Sequence, residues 1–176
     1  PELVEYVNRI QIPADLQKGD DLPVSTFLGR EDGHLPLGTS QYEKRGIARE
    51  VPTWQPENCI QCNLCSLVCP HAVIRPFLLD EGEVKAAPTD MTLVDAKGPG
   101  LSGLKYTMGV STLDCTSCGS CVASCPKSGK ALKMVPTHEV SLDQTDWNFL
   151  TTVKEKTSRV DKFTLKGSQF KQPLVE

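Results

Sequence analysis

The sequence predicts an α+β fold of short strands and short helices, with extended, irregular arms at both ends. Three observations predict it. Eight cysteines fall into two copies of one tight motif, 56 residues apart, and none lies elsewhere. Thirteen glycines and thirteen prolines punctuate 176 residues, which leaves room for many turns and few long elements. Hydrophobic residues make up only 39% of the chain, below ordinary globular usage. A large, purely apolar core is therefore not expected, and something else must help to hold the chain together.

The motifs read Cys59-x2-Cys62-x2-Cys65-x3-Cys69-Pro70 and Cys115-x2-Cys118-x2-Cys121-x3-Cys125-Pro126. This internal repeat is carried by chemistry rather than by an apolar pattern. It is the cysteine run that ligates 4Fe-4S clusters in bacterial two-cluster ferredoxins. Three thiolates at such intervals can curl around one small inorganic core, and the turns between them aim backbone N–H groups at the sulphurs. The fourth cysteine lies one helical turn beyond the third. The proline after it pushes it out of the α region, so Cys69 and Cys125 should face away from their own loops. In two-cluster ferredoxins the fourth cysteine ligates the other cluster. The expected ligand sets are Cys59, Cys62, Cys65 with Cys125, and Cys115, Cys118, Cys121 with Cys69. The fold expected is a bacterial two-cluster ferredoxin-like domain, with short β-hairpins and short helices around two 4Fe-4S clusters. The metal would supply stability that the thin core lacks.

Two other chemistries use cysteine pairs. A disulfide framework suits an even count, but four cysteines in eleven residues make a poor loop staple and no secretion signal is visible. Zinc sites usually place two C-x2-C pairs a dozen or more residues apart. The third cysteine at the same tight spacing and the Cys-Pro step do not fit zinc.

Residues 1–50 read as an N-terminal arm, with a short helix near Leu3–Val7 followed by Gly-punctuated turns. Residues 51–136 read as the cluster-binding domain. Val51–Trp54 form a strand into the first loop, Cys65–Cys69 a helical turn, and Ala72–Arg75 a return strand. Residues 76–105 are an insertion. Residues 106–114 enter the second loop as a strand, and Ala131–Val135 return from it. Residues 137–176 read as a C-terminal linker. In it Asp146 would cap a helix from Trp147 to about Val153, and Lys154, Lys156, Arg159, Lys162, Lys166 and Lys171 make it mildly basic.

A net charge of −3 without a basic patch argues against nucleic-acid binding. No run of eighteen apolar residues is present to span a membrane, and no signal peptide opens the chain. Thiolate-bound clusters suit a reducing cytoplasm. The first residue is Pro1 rather than Met, so the chain reads as a processed product or a piece of a longer one.

Several stretches narrow the family. Tyr42-Glu43-Lys44-Arg45-Gly46-Ile47-Ala48, Val51-Pro52-Thr53-Trp54, Cys69-Pro70-His71-Ala72-Val73-Ile74-Arg75-Pro76 and Leu113-Asp114-Cys115-Thr116-Ser117-Cys118-Gly119 resemble pyruvate:ferredoxin (flavodoxin) oxidoreductase. The resemblance covers essentially the whole chain and corresponds to the iron–sulphur domain of that large, usually homodimeric enzyme. It implies that pyruvate is decarboxylated on thiamine diphosphate and coupled to coenzyme A elsewhere in the enzyme. Single electrons would then pass through three 4Fe-4S clusters to ferredoxin or flavodoxin. The cysteines here would hold the medial and distal clusters. The thiamine site and the third cluster would belong to a domain beyond residue 176, so this chain alone should transfer electrons without turning over pyruvate. The alternatives are a free-standing ferredoxin or an iron–sulphur subunit of another redox complex, and, from another class, a zinc-stabilised interaction module without redox function.

Other features have plainer roles. Gly98-Pro99-Gly100-Leu101-Ser102-Gly103 spells a dinucleotide fingerprint, but too few residues follow for the helix and second strand that such a site needs. No catalytic constellation is readable. His71 is expected to be a structural hydrogen-bonder or half-exposed, His34 and His138 to be solvated in loops, and Trp54 and Trp147 to pack against neighbouring domains rather than to act as relay aromatics. Ile60, Leu64, Val68, Val73, Val122, Leu132 and Met134 are expected to wall the clusters. Lys85 and Lys97 are the expected contacts for an acidic carrier.

Overall fold

A computed structural model describes residues 2–127 and 129–170; Lys171 lies outside them. It divides into two compact units, residues 1–44 and 45–176. Among the described residues, no helix is long and apolar enough to cross a membrane.

The N-terminal unit opens with α1 (Glu2–Tyr6), continues through a π turn at Val7–Gln11 and ends in α2 (Ile12–Asp15). The helical run is thus longer than the short helix near Leu3–Val7 that the sequence predicts, and it continues past Pro13, whose missing N–H conflicts with a helix ladder. The π turn resolves the conflict. The Ile12 N–H donates to the Val7 carbonyl one residue further back than in an α-helix, so the ladder is already widened where proline lacks a donor. Val7 and Ile10 are buried. Arg30 returns from the following turns to stack on Tyr6, 5.1 Å from its ring centre, and to pair with Glu2 at 3.1 Å. This segment is a folded unit of helix and tight turns rather than a wholly extended arm.

The second unit contains β1 (Glu50–Trp54), α3 (Leu64–Leu67), β2 (Ile74–Leu79), α4 (Glu81–Ala86), β3 (Val94–Asp95), β4 (Lys105–Val110), α5 (Ser120–Ala123), β5 (Leu132–Pro136), α6 (Thr145–Leu150) and α7 (Leu165–Ser168). The strands pair across the two halves rather than within them. β1 is antiparallel to β5, with Pro52 opposite Met134 and Trp54 opposite Leu132. β2 is antiparallel to β4, and β3 adds to the far edge of β4. Each loop's entering and returning strands therefore belong to different sheets, which ties the halves together.

Every residue of β2 is buried, because both faces of this small sheet are covered. Ile74 and Leu78 join Tyr106, Met108 and Leu132 in the inner core. Phe77 and Leu79 point the other way and pack with Trp147, Leu150 and Val153 around α6. Trp147 meets Phe77 edge-on at 6.0 Å, so it packs within this unit rather than against a neighbouring domain. Gly109 on β4 lets α6 approach: a Cβ there would lie 2.7 Å from Leu150 and 2.9 Å from Phe77.

The insertion and the C-terminal segment fold onto this core. Asp80 and Glu83 form a reciprocal capping box at the start of α4. Glu83 also accepts from the backbone N–H of Lys154 and from Lys156 Nζ at 2.8 Å. Arg159 donates to the carbonyls of Gly100 and Ser102. Residues 98–103 form turns, with no helix after them. The cap of α6 is not the predicted Asp146. The N-cap is Gln144, without a side-chain capping bond, and Asp146 sits in the first turn; Asp143, just before the cap, accepts from the Thr145 N–H and hydroxyl. The predicted linker is therefore, as far as residue 170, part of the domain's cover.

Candidate metal centres

The two cysteine loops repeat each other residue for residue at a 56-residue offset. A 3-10 turn precedes each, Pro56–Asn58 and Thr112–Asp114. Left-handed backbone follows at Gln61 and Asn63, and at Ser117 and Gly119. The short helices α3 and α5 come next. The left-handed residues turn the backbone so that its N–H groups face sulphur. The Gln61 N–H donates to Cys59 Sγ at 3.3 Å, and the Ser117 N–H to Cys115 Sγ at 3.4 Å.

These loops and the two sheets frame a pair of small cavities, each lined by four cysteines. Cys59, Cys62, Cys65 and Cys125 line the first, with Trp54, Tyr106 and Leu132. Cys69, Cys115, Cys118 and Cys121 line the second, with Pro52, Ile74 and Met134. Alternate residues of the β1–β5 ladder roof both: Pro52 and Met134 over the second, Trp54 and Leu132 over the first. Each short helix serves both cavities. α3 carries Cys65 on the first and leads to Cys69 on the second; α5 carries Cys121 on the second and leads to Cys125 on the first. All eight cysteines are free of disulfides.

Comparison with known proteins fits this geometry. Residues 55–129 match the family model of the 4Fe-4S dicluster domain, and residues 1–48 that of a domain of unknown function called EKR. Residues 55–129 are a 4Fe-4S dicluster domain. The chain is 50% identical over 173 residues to pyruvate:ferredoxin oxidoreductase of Moorella thermoacetica, a match covering 98% of this chain and 15% of that protein. It is 46% identical over 179 residues to pyruvate-flavodoxin oxidoreductase of Enterobacter agglomerans, covering 99% and 15%. It is also 46% identical over 173 residues to pyruvate dehydrogenase (NADP+) of Cryptosporidium parvum, covering 98% and 9%. The chain is thus the counterpart of one segment, at most about 15% of the length, of these relatives. The dicluster domain is an electron-transfer module.

The donor set of the dicluster domain suits a polynuclear cluster. Among the described residues, no three His, Cys, Asp or Glu side chains converge on a point where a single ion would be held; the sulphurs instead surround open space. Burial pushes the Cys65 thiol up to about 12 and the Cys121 thiol up to about 11, and raises that of Cys115. Anionic sulphur is costly in such an apolar cage unless positive charge is bound there, which iron supplies. Cys118 differs. It is exposed, and its hydrogen bond with Ser120 lowers its thiol.

The loops also differ in cover. Gln61 and Asn63 are each 1% exposed. The Gln61 side chain donates to the Asp95 carbonyl and accepts from the Lys97 N–H, both at 2.8 Å. Asn63 accepts from the Tyr106 hydroxyl at 2.9 Å and donates to the Lys166 carbonyl at 3.0 Å. The Lys166 ammonium in turn donates to the Lys97 carbonyl. Their counterparts Ser117 and Gly119 are only half-buried. The first loop is capped by the insertion and the C-terminal segment; the second is open at Cys118.

Of the predicted wall, Ile60 and Leu132 line the first cavity, and Val73 and Met134 the second. Leu64, Val68 and Val122 line neither; Val122 packs instead against the inner core. Tyr106, Met108 and Ile74 do line them, although the sequence analysis did not single them out. Their period-two spacing on β2 and β4 marks a common face, but not which face meets the clusters. His71 is exposed at the rim of the second cavity. His34 and His138 are exposed, beside Asp32 and Glu139. Lys85 pairs with Glu81 at 2.7 Å, and Lys97 lies against the covered first loop.

Proposed function

We propose that this chain relays single electrons within a pyruvate:ferredoxin or pyruvate-flavodoxin oxidoreductase, from a thiamine-dependent centre carried elsewhere in the enzyme to an external carrier. Cys59, Cys62, Cys65 and Cys125 hold one 4Fe-4S cluster; Cys69, Cys115, Cys118 and Cys121 hold the other. The observation that carries this reading is the division of eight cysteines, four and four, between two cavities. A 4Fe-4S cluster takes up and releases one electron at a time. The residues of the chain do the rest. The thiolates bind, and the backbone N–H groups of Gln61 and Ser117 offset their negative charge. Ile74, Met108, Leu132 and Met134 exclude water, which disfavours the added negative charge of reduction and so holds the potential down.

The difference in cover gives the relay a direction. The covered first loop faces the interior of the enzyme, and the Cys118 side faces the carrier. A broad, shallow concavity lined by Arg49, Glu50, Ser117, Thr137 and His138 adjoins the open loop, and it is where the carrier docks. The complete enzyme is a cytoplasmic homodimer with thiamine diphosphate and a third cluster. The test is stopped-flow oxidation of the dithionite-reduced chain by ferredoxin and by flavodoxin. Rapid, saturable oxidation by either is expected. A reduced chain that passes no electron to any carrier overturns the reading.

A further inference from the structure

Trp54 ends β1 opposite Leu132 and forms part of the wall of the first cavity. Its ring lies 5.8 Å from that of Tyr106. The indole Nε1 is buried and meets no acceptor among the described residues. Native structures rarely leave a buried donor unpaired, and an indole N–H can only donate. The other polar aromatic on this wall is satisfied, since the Tyr106 hydroxyl is engaged by Asn63. Of the other polar side chains on the cavity, Asn63 is held by Tyr106 and the Lys166 carbonyl, the Lys127 ammonium can only donate, and the remaining acceptors are sulphurs. The remaining buried orphans, Gln11 Oε1 and Arg30 Nη1, belong to the N-terminal unit.

We propose that the indole N–H of Trp54 donates a hydrogen bond to a sulphur of the cluster held by Cys59, Cys62, Cys65 and Cys125, and raises that cluster's reduction potential above the value it would have without this bond. This rests on the ligand sets proposed above. Reduction adds a negative charge to the cluster, and a donor aimed at its sulphur stabilises the reduced form more than the oxidised one. The repeat supplies an internal comparison. The position 56 residues on, the corresponding last residue before the second loop's turn, is Val110, which has no side-chain donor. The indole bond would thus be a contribution to the potential of one cluster that the repeat does not supply to the other.

The chain contains two tryptophans, and Trp147 packs on Phe77 in the outer core. Tryptophan labelled with ¹⁵N at the indole nitrogen therefore reports on Trp54 alone near the clusters. Pulsed EPR of the reduced, labelled chain should show a weak ¹⁵N coupling to one of its two clusters. In Trp54→Phe that coupling vanishes, the midpoint potential of the same cluster falls, and that of the other stays put. Full iron content without a ¹⁵N coupling overturns the proposal, as does an unchanged potential in Trp54→Phe. Absence of the coupling is decisive even if the variant fails to fold, because the labelled parent protein carries the test. A chain without iron and sulphide would instead overturn the cluster assignment itself, and the two failures are told apart by metal analysis of the same sample.

Discussion

Cys65 and Cys69 are one helical turn apart on a single short segment, yet they line different cavities. Four residues of helix advance about 6 Å along the axis, so the two sites are near neighbours. The same relation holds between Cys121 and Cys125. Each half of the domain thereby reaches into the other, just as the strands pair across the halves.

The crossed arrangement predicts the outcome of Cys125→Ser. This residue lies next in sequence to Cys115, Cys118 and Cys121, but its loss should empty or degrade the other site. On anaerobic alkylation followed by peptide mapping, Cys59, Cys62 and Cys65 become reactive while Cys115, Cys118, Cys121 and Cys69 remain protected. An uncrossed arrangement gives the opposite pattern. Cys69→Ser should mirror the result.

Gly109 is fixed by packing rather than by backbone conformation, because its missing Cβ makes way for Leu150 and Phe77. Gly109→Ala overpacks the α6 contact and should cost about 1–3 kcal/mol. Guanidinium denaturation followed by tryptophan fluorescence, which reports Trp147 on Phe77, checks it. The cysteine cages lie on the other face of the sheet, so cluster content should be preserved.

Much of this architecture was legible in the sequence, and the part that was not has one physical cause. The motif spacing marks both loops, the two helical turns and strand β1, because those signals are local. That β1 pairs with β5, some eighty residues away, follows from no local pattern. The cover of the first loop was equally invisible. Gln61 and Asn63 look like polar loop residues, and only the tertiary fold brings Asp95, Tyr106 and Lys166 to their side chains. Asp146 misled for a related reason: two aspartates lie near the start of α6, and residue type alone does not say that Asp143 bonds Thr145 while Asp146 falls inside the first turn.

The C-terminal cover depends on Lys156, which is only 12% exposed and meets Glu83, 16% exposed, at 2.8 Å. Lys156→Met removes one partner from a half-shielded pair and should cost about 1–3 kcal/mol. The loss should fall on the cover first. Hydrogen exchange at residues 154–168 should accelerate, with β2 and β4 less affected.

Tyr106→Phe deletes the hydroxyl that Asn63 accepts from and leaves a buried amide oxygen without its donor. A loss of about 1–3 kcal/mol is expected, measured by denaturant unfolding. Asn63 would be freed on one side only, since its bond to the Lys166 carbonyl remains. Both cages should keep their iron.

Docking beside the open loop makes charge at Arg49 matter. Arg49→Glu should slow oxidation of the reduced chain by an acidic carrier by roughly tenfold at low ionic strength. The effect should shrink as salt rises. Stopped-flow measurements check it, and Lys85→Glu, at the carrier contact the sequence suggests, should slow the rate less than Arg49→Glu if the carrier docks beside Cys118.

The most direct test of the central claim is the iron and acid-labile sulphide content of anaerobically purified chain, with an EPR spectrum after dithionite reduction. Two cages of four cysteines each predict about eight irons and about eight sulphides per chain. They also predict a reduced spectrum broadened by coupling between two neighbouring spins. Stoichiometric zinc without sulphide, or a spectrum from one isolated cluster, would contradict it.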